Sequence, residues 1–235
     1  MMARELCFDI NKIFSFGLPR NDAFSKDKRD LRTILGKNFT KVIVWLPTFR
    51  QHKSGKKTGS AHALPVIHSI DSAKQINEWA KENNVLIVVK PHFAQDLRNL
   101  EKENLDNIIF IDENVFEVNN ISLNEFLNSS DALITDYSGV YFDYLLSKKP
   151  IAVVWEDIDD YKINPGLAVD VDFYMKPTHK IYGVEDFKSF ISTVANGDDC
   201  YAEEREVISS IVNYSDDGKN TERVVDFIVE KAGLI

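Results

Sequence analysis

Between Lys41 and Trp155 the chain alternates short unbroken apolar runs with longer stretches whose apolar residues recur at helical spacing. The runs Lys41–Leu46, Val85–Val89, Ile108–Ile111, Ala132–Thr135 and Ile151–Trp155 predict five strands. None alternates apolar with polar positions. Each therefore reads as a strand covered on both faces, the pattern of a parallel sheet. Helices are predicted between them. Asp71–Asn84 carries Ala73, Ile76, Trp79 and Ala80 on one face, and Phe93–Glu103 carries Phe93, Leu97 and Leu100. Ser122 and Glu125 have the spacing of a capping box opening a short helix through Leu127, and Tyr141–Leu146 lies in a helix after the fourth strand. This alternation predicts an α/β fold, a Rossmann-like doubly wound parallel sheet.

Beyond Trp155 the pattern changes. Asp157–Thr178 is polar, aromatic and broken by proline and glycine, which predicts a long structured loop. Val184–Ala195, Ala202–Val212 and Asn220–Lys231 predict three helices. Residues 1–40 read as a leading segment with a turn at Gly17–Asp22 and a helix, and residues 41–235 as the Rossmann-like nucleotide-binding domain with its carboxyl-terminal helices. Residues 52–60, HKSGKKTGS, are basic and rich in turn formers.

Composition narrows the function. A formal charge of −9 argues against nucleic acid as the main partner, while leaving room for a local anion site. No apolar run approaches the roughly 20 residues of a membrane helix. The first residues lack a secretory pattern, so a cytoplasmic location is expected. Cys7 and Cys200 have no metal-ligand spacing and read as reduced thiols.

In an open parallel sheet, ligands bind beyond the carboxyl ends of the strands. Three polar turns stand there: Pro47–Arg50, Lys90–His92 and Thr135–Gly139. The third opens a helix, whose first N–H groups and partial positive charge suit an anion. Ser138 adds a hydroxyl, and Gly139 allows close approach to the backbone. Thr135, Asp136 or Ser138 would serve equally as a plain helix cap, and both readings stand open at this point. His92, after Pro91, is placed to donate to a phosphate oxygen or act as an acid, or is a plain surface imidazole. Arg50 offers a forked guanidinium to a phosphate, or is a solvated arginine. His52, His62, His68 and His179 read as surface or loop residues. Gly55–Thr58 hints at a nucleotide P-loop, but position 50 is Arg where that motif needs glycine. Glu156–Asp160 lacks the spacing of a calcium loop and reads as a solvated acidic turn. No Gly-x-Gly-x-x-Gly follows the first strand and no Gly-x-Ser-x-Gly occurs, against a dinucleotide cofactor and a serine hydrolase.

Four segments, in this order, carry a resemblance: Gly17–Asp22; Leu46–Arg50; Lys90–His92 with Thr135–Ser138 and Val140–Leu146; and Asp217–Arg223. Together they resemble the CDP-glycerol glycerophosphotransferase family, the teichoic acid polymerases and primases, with Ser130–Pro150 the most specific stretch. The resemblance implies the carboxyl-terminal, nucleotide-binding half of a glycosyltransferase-B-type fold. It implies transfer of glycerol phosphate, or a related polyol phosphate, from a CDP-linked donor to a hydroxyl of a lipid-linked teichoic-acid or capsule-type polymer, with release of CMP. On the family pattern His92 falls on the essential histidine beside the diphosphate, and Ser138 on the first serine of the phosphate-binding pair. Asp217, Gly218 and Arg223 fall on the motif opening the last helix beside the nucleotide. Arg50, Lys90, Thr135, Asp136, Gly139 and Thr221 complete the expected donor contacts. No metal or cofactor is expected, since phosphoryl transfer rests on positioning and charge relief that such residues supply.

The sequence departs from the family in three places. Gly139 stands where the second serine would be, His92 is preceded rather than followed by proline, and no Trp-His-Gly motif, the site of the family's other essential histidine, occurs. A separate amino-terminal half chain is therefore an expected partner, at the inner face of the cell membrane. The alternatives are a non-catalytic nucleotide-binding module and a glycosyltransferase with another CMP- or CDP-linked donor.

Overall fold

The structure, a computed structural model, describes residues 9–48, 64–92, 97–159 and 169–233. Arg50, Cys7, His52, His62 and the 52–60 stretch lie outside the described residues. The described strands are β1 (Lys41–Trp45), β2 (Val85–Val89), β3 (Ile108–Phe110), β4 (Ala132–Thr135), β5 (Ile151–Val154) and β6 (His179–Ile181). They form one parallel sheet in the order β3-β2-β1-β4-β5-β6. The described helices are α1 (Leu31–Leu35), α2 (Ile70–Glu82), α3 (Arg98–Glu101), α4 (Glu113–Val118), α5 (Leu123–Ser129), α6 (Val140–Tyr144), α7 (Val171–Tyr174), α8 (Val184–Asn196), α9 (Ala202–Val212) and α10 (Asn220–Lys231).

The unbroken apolar runs have a direct cause. Successive strand side chains point to opposite faces, and helices cover both. On one face Ile43, Trp45, Ile87 and Val89 pack with Ile76 of α2 and Phe187, Phe190 and Ile191 of α8. On the other, Val42, Val44, Leu86 and Val88 meet Phe116, Phe126, Tyr141, Tyr144 and Ile208 from α4, α5, α6 and α9. β2 is consequently buried at every position. The capping box forms as its spacing predicts: Ser122 Oγ accepts from Glu125 N, and Ser122 N donates to Glu125 Oε2 at 2.8 Å.

The stretch after Trp155 differs from the expected loop. Among its described residues it contains α7, and it ends at a sixth strand. β6 has three residues and no apolar run; it exists because the edge of β5 offers it a ladder, in which Trp155 N donates to Ile181 O at 2.9 Å. His179 therefore belongs to a strand rather than a loop. It is half-buried, its ring 5.2 Å from Phe190 and 5.1 Å from Tyr201, and burial holds its pKa below the usual histidine value. The acidic turn is also not simply solvated. Glu156 accepts the Val66 N–H at 2.8 Å and pairs with His68, so His68 is not a solitary surface imidazole. Asp157 accepts from the Tyr137 hydroxyl at 2.9 Å.

Within the leading segment, a 3-10 helix over Pro19–Ser25 packs on α5 and on the start of α10. Asn128 Nδ2 donates to Ala23 O and Lys26 O, and Arg20 Nε lies 2.9 Å from Asp143 Oδ2. Asp22 caps α10 from a distance in sequence, accepting Asn220 N and Thr221 N at 2.8 Å each.

Candidate functional site at the carboxyl edge of the sheet

The order β3-β2-β1-β4-β5-β6 reverses direction between β1 and β4. That reversal opens a crevice at the carboxyl ends of these strands, where α/β sheets hold ligands. The register fixes what meets there. Trp45 is level with Val89 of β2 and Ile134 of β4. The next residues in the sequence are Leu46, Lys90 and Thr135, followed by Pro47, Pro91 and Asp136. Pro47 and Pro91 lack an N–H and end the ladder, so the chain turns away from the sheet at that level.

Side chains then take over from the ladder. Leu46 N donates to Ile134 O at 2.9 Å, and Thr135 Oγ1 donates to Leu46 O at 3.3 Å. Thr48 N donates to Asp136 Oδ2 at 2.7 Å, and the Thr48 hydroxyl bonds the other carboxylate oxygen. Thr135 and Asp136 are 0% and 1% exposed. Both expected donor contacts thus have another duty in this structure: their side chains tie the exit of β1 to the exit of β4.

The turn beyond them is open. Ser138 is half-buried and Gly139 is exposed. Gly139 is the N-cap of α6 with no side-chain cap bond, and Ser138 Oγ, in an accessible turn, accepts Val140 N at a long 3.4 Å. Gly139 has φ −60° and ψ −16°, and a Cβ built there would meet nothing within 4 Å. The backbone therefore does not demand glycine at this position.

His92 lies exposed on the other side of the crevice. β2 and β4 flank β1, so the two turns are roughly 10 Å apart. Lys90 is half-buried; its Nζ lies 2.8 Å from Glu113 Oε1 and 5.9 Å from the Phe116 ring centroid. Glu113 is largely exposed, so this pair is a surface one that a better anion would displace.

The second group of expected contacts lies elsewhere. Asp216 pairs with Lys148 at 3.6 Å, and Lys148 leads into β5 at the amino edge of the sheet. Next to it, Arg223 donates to both carboxylate oxygens of Asp217, at 2.8 and 3.0 Å, and to Phe16 O and Asn220 Oδ1. The Arg223 bonds hold the Asp217 carboxyl well below the usual range. Gly218 has φ +71°, and a Cβ there would stand 2.6 Å from Ser25 Cβ. Thr221 donates its N–H to Asp22. Asp217, Gly218, Thr221 and Arg223 thus bracket the leading segment to α10, beside a cavity of about 310 Å³ lined by Asn21, Phe24, Leu146 and Lys148. Lys90, His92, Ser138 and Gly139 follow the carboxyl ends of β2 and β4, whereas these four residues gather where the leading segment meets α10.

Thr48, Tyr137 and Asp157 shape the crevice and were not picked out as site residues. Thr48 sat inside a recognised motif, but only the partner 88 residues away gives it a role. Tyr137 lies in the Thr135–Gly139 turn and Asp157 in the acidic Glu156–Asp160 stretch, but nothing local couples the two. Among the described residues, no cluster of three or more His, Cys, Asp or Glu is arranged to hold a metal, and no helix is long and apolar enough to cross a membrane.

Comparison with known proteins follows the same lines. Residues 1–230 match the family described as CDP-glycerol:poly(glycerophosphate) glycerophosphotransferase. The teichoic acid poly(ribitol-phosphate) polymerase of Bacillus spizizenii is 32% identical over 94% of this chain and 34% of its own length. The teichoic acid glycerol-phosphate primase of Bacillus subtilis is 29% identical over 93% and 51%. The chain thus spans about half or less of the length of these relatives. Among solved structures, a variant of the wall teichoic acid polymerase TagF soaked with CDPG superposes with a TM-score of 0.69 at 25% identity, over 97% of this chain and 55% of that one. A putative UDP-N-acetylglucosamine 2-epimerase from Listeria monocytogenes shares the fold alone, with a TM-score of 0.54 at 13% identity, over 99% and 57%.

Proposed function

Since the chain belongs to the CDP-glycerol:poly(glycerophosphate) glycerophosphotransferase family, we propose that it is the donor-binding unit of such a transferase. The donor is a CDP-linked polyol phosphate, glycerol or ribitol. The acceptor is a hydroxyl of a lipid-linked teichoic-acid or capsule-type polymer, and CMP leaves. The observation that carries this reading is the register at the switch point, which sets the His92 turn and the open Ser138–Gly139 turn on either side of the β1 exit.

In the transfer, the acceptor oxygen attacks the polyol-bearing phosphorus of the donor. A new P–O bond forms and the P–O bond to CMP breaks. The acceptor proton passes to a base. Charge grows on the leaving phosphate, and preorganised donors aimed at it lower the barrier. His92 donates a ring N–H to that phosphate. The Ser138 hydroxyl and the Gly139 N–H receive the other end of the diphosphate. Lys90 exchanges Glu113 for the ligand. Arg50, two residues past Thr48 in the sequence, remains the expected guanidinium for the diphosphate.

The acceptor and the base come from a second unit of the family fold, supplied as further chain or as a separate partner; the relatives' greater length supports this. A lipid-linked acceptor puts the working assembly at the inner face of the cell membrane. Calorimetric titration of this chain with CMP, CDP-glycerol and CDP-ribitol tests the proposal. CMP is expected to bind and to compete with one CDP-polyol. Absence of affinity for any cytidine nucleotide at millimolar concentration overturns it.

A further inference from the structure

We infer that Asp136 is a positioning residue: its buried carboxylate latches the exit of β1 to the turn that faces the donor, and does not itself touch the donor. The inference rests on the proposed donor crevice and adds the device that keeps it in shape. Three observations carry it.

The first is the economy of the carboxylate. A buried carboxylate is costly unless its oxygens are bonded. Asp136 is 1% exposed, and each of its oxygens accepts from Thr48, one from the backbone N–H at 2.7 Å and the other from the hydroxyl. Two bonds to one residue fix its backbone and its side-chain rotamer together. A carboxylate turned toward a diphosphate would repel it; this one is turned into the protein.

The second is the missing ladder. Among the described residues, the last backbone bond from the β1 exit to β4 is Leu46 N to Ile134 O, and Pro47 has no N–H to offer. Beyond Pro47 a side-chain tie can do what the ladder no longer does. Asp136 supplies that tie at the next residue, two positions before Arg50.

The third is that the turn is fastened on both sides. Asp136 holds it to the β1 exit, and the adjacent Tyr137 holds it to the β5 exit through Asp157 at 2.9 Å. Ser138 and Gly139 follow directly and stand in the open part of the turn. The latch thereby sets the gap between the β1 side and the phosphate seat.

Thr48→Val tests the latch with little change of shape, Thr48→Ser restores the hydroxyl, and Asp136→Asn keeps an acceptor for the Thr48 N–H. Two readouts are used: hydrogen exchange of the amides at 137–140 in the ligand-free protein, and CMP affinity by calorimetry. In Thr48→Val we expect faster exchange at 137–140 and CMP binding weakened about tenfold, with the melting transition still cooperative. Thr48→Ser recovers most of both losses. Wild-type exchange in Thr48→Val overturns the latch. So does loss of CMP binding in Asp136→Asn alongside unchanged binding in Thr48→Val, which would make Asp136 a direct contact. If the parent chain binds no cytidine nucleotide, the functional reading falls, and the exchange experiment still decides the latch.

Discussion

Gly17 lies against Asn220 so closely that a Cβ on residue 17 would stand 2.0 Å from Asn220 Oδ1. Asn220 is 2% exposed and opens α10, so the leading segment and the last helix are fitted to one another. Phe14 and Phe16 extend the contact, with ring centroids 4.6 and 4.9 Å from that of Phe227. Gly17 is also in the left-handed region, at φ +81°.

Gly17→Ala therefore meets two penalties, an unfavourable backbone region and a collision with a buried side chain. Each is worth about 1–2 kcal/mol or more. The expected outcome is a loss of about 2 kcal/mol or more, read as a lowered midpoint in urea unfolding. An unchanged midpoint would mean that the leading segment contributes no stability.

Arg223→Lys keeps the charge but loses the planar fork that serves Asp217, Asn220 and Phe16 together. The leading segment should loosen, with faster hydrogen exchange across residues 16–25 and no change at the Ser138 turn. Equal loosening at the Ser138 turn would show that the two groups of residues are coupled.

His92→Ala removes an exposed ring, so stability should stay within about 0.5 kcal/mol. Release of CMP, measured in an assembly that supplies the second unit and a lipid-linked acceptor, is expected to fall by 10²-fold or more. Full activity in such an assembly would remove His92 from the mechanism.

Gly139→Ser probes the one position where the site departs from a serine pair. The backbone there is right-handed and the space for a Cβ is open, so the fold should accept it, with a gain of about 0.4–1 kcal/mol from a stiffer unfolded chain. If the Ser138–Gly139 turn receives the diphosphate as proposed, the added hydroxyl gives it one more donor, and CMP affinity should rise severalfold in calorimetry. Weaker binding would mean that the donor needs the space glycine leaves.

Glu125 gives a pH signature. Its bond to Lys26 and its capping bonds to Ser122 hold the carboxyl down at about 2. The folded value lies below the unfolded one, near 4.3. The contribution is thus fully present above the unfolded value and is lost as pH falls toward 2. In urea unfolding, Glu125→Gln should be less stable than the parent at pH 6, and the gap should close between pH 4.5 and 2. A gap that stays constant over that range would contradict the capping role.

Much of this protein was written locally. Five strands follow from apolar runs, because a strand covered on both faces keeps its polar residues, such as Lys41 and Thr135, to its ends. The Ser122–Glu125 cap follows from neighbours three residues apart. The four-segment pattern, read in order, was enough to identify the family. Tertiary structure decided the rest, because it depends on which distant segments become neighbours. β6 forms only because the edge of β5 is there to pair with it. Asp136 becomes a latch only when the strand order sets it beside Thr48. Asp217, Gly218, Thr221 and Arg223 meet the leading segment at the start of α10, a contact that no local spacing foretells. Spacing along the chain holds the first kind of information; the second resides in the register between segments far apart.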